Sequence, residues 1–185
     1  MAIFMLLAVS TYMRPCELLP LLRCHLVRPD AATSSHWSVL VAPQELGQVT
    51  KTNLSDVSVI LDFPWLTWMH RLIPALAKGP AMEPLWGFSY HQLRSAFTRV
   101  TTALGLEGMT LYQTRHSGPS IDRMGRHRSL LDCKARGFWK SESSLHRYEK
   151  SSRVAADYLA LPSDVRMRLE ALALLAEGRV LGKSR

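Results

Sequence analysis

The sequence predicts an α+β fold that is mainly α-helical and carries a small antiparallel β-sheet. In residues 89–106 apolar side chains recur every three or four positions, as on the buried face of an amphipathic helix. Two β-rich segments, 36–42 and 57–62, flank a polar stretch with turn residues, which indicates a hairpin with a long tip or a small sheet. With 185 residues, 47% of them hydrophobic, the chain can fill the core of one such domain.

Apolar stretches predict the other helices. Residues 2–13 are apolar on nearly all sides, which favours a helix buried in the core over a signal peptide or a membrane span. Tryptophans and leucines at helical spacing predict a helix within 64–80. A further helix start, in residues 110–127, is expected to be interrupted around Gly118 and Pro119. The tail predicts a helix over 163–178, with Ser163 as its N-cap.

The chain is strongly basic, with a formal charge of +8 and a pI of about 9.8. Such a surplus indicates a polyanionic partner, most simply nucleic acid, although a basic protein without such a partner has the same balance. The cations are dense between residues 115 and 153, where they could follow a phosphate backbone or form a solvated helical face with ordinary ion pairs. They are Arg115, Arg123, Arg126, Arg128, Lys134, Arg136, Lys140, Arg147, Lys150 and Arg153.

The three cysteines are Cys16, Cys24 and Cys133. Their odd number and wide spacing argue against a disulfide framework and against a zinc site, and they indicate a reducing compartment. The sequence also has no P-loop and no cluster of metal ligands, so we expect neither a metal nor another cofactor.

Two arginines stand beside residues that could orient or assist them. Arg14 precedes Glu17 by three positions in "TYMRPCEL", where a carboxylate could orient the guanidinium or simply pair with it. Arg115 is followed by His116 in "LYQTRHSG", at a predicted helix start. His116 could form a hydrogen bond near a bound phosphate or merely cap the helix.

Three further residues add to this set. Lys51 lies just before the second predicted strand and could project from the hairpin tip, although a lysine in a polar loop is by default only solvated. Trp139 and Tyr148 are nine residues apart in "WKSESSLHRYEK", which reads as the opening of a helix. Alone, the tryptophan would be a hydrophobic anchor and the tyrosine a half-buried packing residue.

Taken in order, these residues resemble the catalytic domain of the tyrosine recombinases, the phage-integrase family. The family's R-x-x-E-L motif is matched by Arg14, Glu17 and Leu18, and its hairpin Lys-Thr pair by Lys51 and Thr52. The last two places of H-x-x-R-H are matched by Arg115 and His116. The family's His or Trp nine residues before the nucleophilic Tyr is matched by Trp139 and Tyr148. The spacings between the motifs are also similar to those of the family. The resemblance spans residues 5–155, and it implies a catalytic domain over 1–160 followed by a C-terminal helix and tail over 161–185.

The resemblance implies cleavage and rejoining of double-stranded DNA through a 3′-phosphotyrosyl intermediate. Arg14 and Arg115 would clamp the phosphate, Lys51 would protonate the leaving 5′-oxygen, Trp139 would donate a hydrogen bond and Tyr148 would attack phosphorus. These five side chains must therefore converge on one basic pocket. The DNA backbone would be bound by Arg123, Arg126, Arg128, Lys134, Arg136, Lys140 and Arg147.

The sequence departs from the family pattern at two places. Tyr112 stands where H-x-x-R has its histidine, so we expect weaker general-base assistance and a slower enzyme. Family members also carry a separate DNA-binding domain before the catalytic one, whereas here about a dozen residues precede Arg14. One-sided contact with DNA is then expected, and the alternative is a non-catalytic DNA-binding remnant of a recombinase.

The resemblance also carries expectations about partners. We expect an intracellular, DNA-associated protein, nuclear if eukaryotic, without a membrane partner, and copies of the chain could assemble on the DNA. The tail helix at 163–178 could pack on a neighbouring subunit or on its own chain.

Overall fold

The fold, taken from a computed structural model, consists of α-helices around a small antiparallel sheet, and the predicted α+β class is confirmed. The structure describes residues 1–32, 34–44, 47, 55–141, 143, 145–149 and 151–182, with the backbone alone at 147, 149 and 151.

The described residues form eight α-helices and four short 3-10 helices. The α-helices are α1 (Ala2–Thr11), α2 (Pro15–Leu18), α3 (Ile73–Leu76), α4 (Tyr90–Ala103), α5 (Thr114–Met124), α6 (Leu130–Arg136), α7 (Ser151–Leu159) and α8 (Ser163–Val180). The 3-10 helices are Arg23–His25, Thr67–Arg71, Leu111–Gln113 and His146–Glu149.

The sheet has three strands in the order β1 (Leu26–Val27), β2 (Ser38–Val41) and β3 (Val57–Ile60), all antiparallel. Strands β2 and β3 are the predicted pair. Strand β1 was not predicted, because two residues are too few to show an alternating pattern. Lys51 falls between β2 and β3 but lies outside the described residues.

Helix α1 lies at the centre of the core. Its Phe4, Leu7 and Ala8 are fully buried, and the inward residues of the sheet, such as Val39 and Val59, belong to the same cluster. The predicted burial of this helix is confirmed, and no helix within the described ranges is long and apolar enough to cross a membrane.

Helix α5 packs directly on α1, and Gly118 makes this possible. A Cβ on Gly118 would lie 1.9 Å from the carbonyl oxygen of Val9 and 2.6 Å from the Tyr12 ring. The predicted interruption around Pro119 is wrong, since α5 runs without a break from residue 114 to 124. Pro119 is buried in α5. The stabilisation from this burial outweighs the cost of the one backbone hydrogen bond that proline cannot donate.

Gly118→Ala is expected to destabilise the fold by about 3 kcal/mol or more, because the added methyl group forces α5 away from the backbone of α1. Urea unfolding of the purified variant measures this cost. Gly87→Ala is the matched control, since a Cβ there would meet nothing within 4 Å. Equal urea concentrations at the unfolding midpoint for the two variants would mean that α1 and α5 are less closely packed than described.

Two other predictions about helices need correction. The helix expected within 64–80 is divided into a 3-10 helix over Thr67–Arg71 and the single turn α3 over Ile73–Leu76, because Pro74 cannot continue a longer helix. The predicted apolar face of α4 consists of Leu93, Phe97, Val100 and Leu104. Leu93 is buried as predicted, but Val100 is 53% exposed and lines a surface groove.

Helix α8 begins at residue 163, as predicted, but its N-cap is Pro162 and it runs past Gly178 to Val180. It contacts its own chain through the buried Val165 and through an exposed ion pair between Arg71 and Glu177. Much of its remaining surface is apolar and exposed, including Met167, Leu172, Leu174 and Leu175. Packing on a neighbouring subunit stays a prediction.

Candidate functional site

The first arginine of the predicted site caps α2. Arg14 follows the turn after α1, where Tyr12 adopts the left-handed conformation with φ of 60°. Glu17 accepts from the Arg14 backbone N–H at 2.8 Å and from its Nη1 at 2.5 Å. The carboxylate thus fixes both the backbone and the guanidinium of Arg14, as the spacing of the two residues suggested.

Arg115 lies in the first turn of α5 and points into the protein, where it is 0% exposed. Its Nη1 donates to the carbonyl of Tyr12 and its Nη2 to the carbonyl of Gly137, both at 2.5 Å. The same Nη1 lies 3.6 Å from Glu17 Oε2. Arg115 therefore ties the end of α1 to the end of α6 and shares a carboxylate with Arg14.

Charge and burial both act on the Arg115 guanidinium. Burial lowers its pKa, and the nearby positive charge of Arg14 adds to this effect, while Glu17 opposes it. An arginine remains protonated in spite of such a shift. The buried Nε of Arg115 has no hydrogen-bond partner within the described residues, so one strong donor of this cation is left without an acceptor.

Trp139 covers Arg115. The guanidinium carbon lies 4.7 Å from the centroid of the indole, in a cation–π contact. Gly137 provides the space, because a Cβ there would lie 1.8 Å from the Trp139 ring. Phe138 between them is left-handed, with φ of 54°, and this backbone turn brings the indole back over the end of α6.

Tyr148 lies in the 3-10 helix His146–Glu149, not in the longer helix that the sequence suggested, and it is 3% exposed. Its hydroxyl is 2.6 Å from Nδ1 of His116, and its ring centroid is 5.5 Å from that of Trp139. Tyr112 is half-exposed, and its ring contacts that of His116 edge-on at 5.1 Å. His116 therefore stands between the two tyrosines.

The structure thus brings most of the predicted site residues into one connected cluster. The cluster consists of Arg14, Glu17, Tyr112, Arg115, His116, Trp139 and Tyr148. Lys51 lies outside the described residues, so its predicted position remains an expectation. Arg115 and Tyr148 are both buried, which the sequence did not indicate.

The predicted DNA-binding set needs correction at two residues. Arg128 donates to Asp62 at 2.5 Å and to Asp122 at 2.9 Å. Nη2 of Arg136 lies 3.2 Å from the same Asp62, and its Nε donates to the carbonyl of Ser10. Both guanidiniums are largely buried and occupied by carboxylates, so they hold the fold together and do not form part of an open DNA surface.

This ion-pair network shifts the pKa of Arg128 and of Asp62. Burial by itself would lower the pKa of the Arg128 guanidinium. The hydrogen bond to Asp62 and the negative charges of Asp62 and Asp122 outweigh this effect and raise the pKa. Burial likewise opposes the charge of Asp62, yet the hydrogen bond from Arg128 and the charge of Arg136 hold the pKa of that carboxyl below its usual range. Arg128 and Asp62 therefore both stay charged near neutral pH.

The other members of the DNA-binding set differ in their surroundings. Arg126 and Lys140 are exposed. Arg123 is half-buried and donates to the carbonyl of Arg128, and Lys134 is half-buried on α6. The side chain of Arg147 lies outside the described residues.

Sequence reasoning missed the buried polar centre beneath the site. Asp122 accepts hydrogen bonds from the Tyr12 hydroxyl and, at 2.9 Å, from the indole N–H of Trp65. Burial raises the pKa of Tyr12, and its bond to Asp122 adds to the effect. These residues come from three distant segments and share no spacing that could have revealed them.

Comparison of the chain with protein-family models, with curated proteins and with solved structures finds no match. Within the described part of the chain, no three His, Cys, Asp or Glu side chains are grouped so that they could hold a metal ion.

Proposed function

We propose that this protein has the catalytic-domain fold of a tyrosine recombinase and cleaves and rejoins double-stranded DNA through a phosphotyrosyl intermediate on Tyr148. One observation carries the proposal. The Tyr148 hydroxyl is hydrogen-bonded to His116 at 2.6 Å. The Tyr148 ring packs against the indole of Trp139, and this indole covers Arg115. A phenol beside an imidazole and a buried guanidinium is suited to attack on a phosphodiester.

The two arginines supply an anion site. Arg14 and Arg115 both contact the carboxylate of Glu17, at 2.5 and 3.6 Å. Arg115 also keeps a buried Nε donor for which the described residues offer no acceptor. A non-bridging phosphate oxygen could accept a hydrogen bond from this Nε. The two guanidiniums together would offset the negative charge that develops around a pentavalent phosphorus.

In the proposed step, the Tyr148 oxygen attacks phosphorus and its proton passes to Nδ1 of His116. A bond forms between the phenolic oxygen and phosphorus, and the bond from phosphorus to the 5′-oxygen breaks. The 5′-oxygen takes a proton, for which Lys51 is the proposed donor. The reverse step, with a 5′-hydroxyl as nucleophile, rejoins the strand and releases Tyr148, so no external energy source is needed.

His116 takes the part of proton acceptor that the family assigns to the histidine replaced here by Tyr112. Nδ1 of His116 can accept from Tyr148 when its other ring nitrogen carries the proton. The Tyr112 ring packs edge-on against the imidazole and restricts its orientation. Tyr112 is in this view a positioning residue.

The test of the proposal is covalent trapping. A labelled duplex with a nick close to the scissile phosphate loses its short 5′-hydroxyl fragment after cleavage, which prevents rejoining and leaves the DNA attached to the protein. A denaturing gel then shows a labelled protein band. A library of nicked duplexes replaces a single sequence, since the target site is not known. Absence of any band over the whole library contradicts the proposal.

Replacement of His116 by glutamine is expected to slow adduct formation by roughly 10²- to 10⁴-fold, because glutamine keeps a hydrogen bond but cannot accept a proton. The deficit should shrink as the pH rises toward the region near 10 where ordinary phenols ionise. His127→Gln is the matched control, as an exposed histidine just beyond α5. A deficit that is the same at every pH would assign His116 a purely structural role.

Burial favours a second candidate, a DNA-binding remnant that no longer cleaves. Arg115 is 0% and Tyr148 3% exposed, and Arg115 already donates to two backbone carbonyls. A protein that keeps these residues only for packing would bind duplex DNA and leave no adduct. Binding measured on the same library of duplexes, by fluorescence anisotropy, distinguishes the remnant from a protein that does not bind DNA.

A further inference from the structure

One face of α4 is basic and exposed, and the site described above does not include it. His91, Arg94, Ser95, Thr98 and Arg99 are all exposed and follow one another at helical spacing. We refer to these five residues as the α4 stripe. They line one surface hollow of 460 Å³. The opposite face of the helix, with Leu93 at its centre, packs into the core, so the orientation of the stripe is fixed.

The positive charges of the α4 stripe have no acidic partner in the described part of the chain. No acidic residue occurs between residues 84 and 106. Within the described residues, neither Arg94 nor Arg99 forms an ion pair or a hydrogen bond. Two arginines elsewhere in the chain differ from these, since Arg128, between α5 and α6, and Arg136, at the end of α6, are held by Asp62.

The α4 stripe lies beside Tyr112, which is in the same cluster of side chains as Tyr148. Arg94 and Thr98 also line a second hollow of 270 Å³, and Tyr112 forms part of its wall. The Tyr112 ring contacts His116, which is hydrogen-bonded to Tyr148. A polymer bound along the stripe would therefore reach Tyr112, which His116 connects to Tyr148.

We propose that the α4 stripe binds the sugar-phosphate backbone of duplex DNA beside the phosphate that Tyr148 attacks, an inference that rests on the proposed function. Arg94 and Arg99 are five residues apart, about 7.5 Å along the helix axis. They are also about 140° apart around the axis at 3.6 residues per turn, so the two long side chains can reach separate phosphates of one duplex. Guanidiniums bind phosphate oxygens through paired hydrogen bonds, and the hydroxyls of Ser95 and Thr98 are further phosphate donors.

The test compares two double variants that each lose two positive charges. Arg94→Gln with Arg99→Gln removes the cations of the α4 stripe. Arg71→Gln with Arg168→Gln is the control, because both of those arginines are exposed and paired with carboxylates. Fluorescence anisotropy with several unrelated duplexes, at a series of salt concentrations, gives the affinity and its salt dependence for each protein. Thermal unfolding shows that both variants remain folded.

The stripe variant is expected to bind every duplex ~30-fold more weakly near 0.15 M salt. The slope of log affinity against log salt, which is negative, should become less steep by about 1.8. The control should bind like the wild type. A stripe variant with wild-type affinity and slope overturns the inference and leaves Tyr148 cleavage standing. A loss confined to one duplex sequence also overturns it, since it indicates contacts to bases. Wild-type protein that binds no duplex overturns both proposals.

Discussion

Tyr148→Phe is expected to abolish the covalent protein–DNA adduct while leaving DNA affinity unchanged. The substitution removes only the oxygen that would attack phosphorus, and phenylalanine keeps the ring contact with Trp139. The lost hydrogen bond to His116 costs about 1–2 kcal/mol of stability, so the variant should remain folded. Trapping on nicked duplexes, followed by mass spectrometry of the labelled peptide, measures the effect and identifies the attached residue.

Two other tyrosines make this test specific. Tyr158→Phe is the matched control, since the Tyr158 hydroxyl is bonded to Glu170 and lies in α7, outside the cluster. Tyr112 is the competing nucleophile, because it is 50% exposed and also contacts His116. An adduct that persists in Tyr148→Phe and disappears in Tyr112→Phe would move the nucleophile to Tyr112 and refute the role proposed for Tyr148.

Arg115→Met is expected to destabilise the fold by about 3–5 kcal/mol, whether or not the protein is an enzyme. The carbonyls of Tyr12 and Gly137 would each lose a charged donor inside the protein, and Glu17 would lose one of its two cations. A loss of this size is a large part of the stability of a domain this long. Urea unfolding at low temperature therefore gives the clearest measurement.

The comparison with an exposed arginine isolates the effect of burial. Arg71→Met removes a side chain that is 61% exposed and paired only with Glu177, so a change within about 0.5 kcal/mol is expected. If Arg115→Met were equally mild, the two carbonyl contacts would not hold α1 and α6 together. Arg115 would then be available to a phosphate at little structural cost.

Patterns of local spacing predicted much of this fold. The β-rich composition of two short segments predicted strands β2 and β3, and helical periodicity predicted α4. The apolar character of residues 2–13 predicted α1, and a capping residue before a leucine-rich run predicted α8. Prediction failed where tertiary contacts outweigh local preference. Helix α5 continues through Pro119 because Gly118 allows close packing on α1.

In the candidate site, too, contacts between residues close in the sequence were predictable and contacts between distant residues were not. The pairing of Arg14 with Glu17 is local, three residues apart in a capping turn, and its geometry follows from its spacing. The sequence could not show which arginines of the segment 115–136 are buried in ion pairs and which are exposed. Arg128 and Arg136 turn inward because Asp62, more than sixty residues earlier in the chain, supplies the carboxylate that they share.

The sequence by itself determined the mixed helical class, the basic charge and the residue types that could act on a phosphate. Only the tertiary structure decided which of these side chains meet. It put the Tyr148 hydroxyl on His116, thirty-two residues away, and buried Arg115 between carbonyls from two helix ends. Among the residues that the structure describes, it also left the two arginines of the α4 stripe without an ion pair. The reason is physical: burial and pairing of a charge depend on neighbours that are distant along the chain, and one-dimensional spacing contains no record of them.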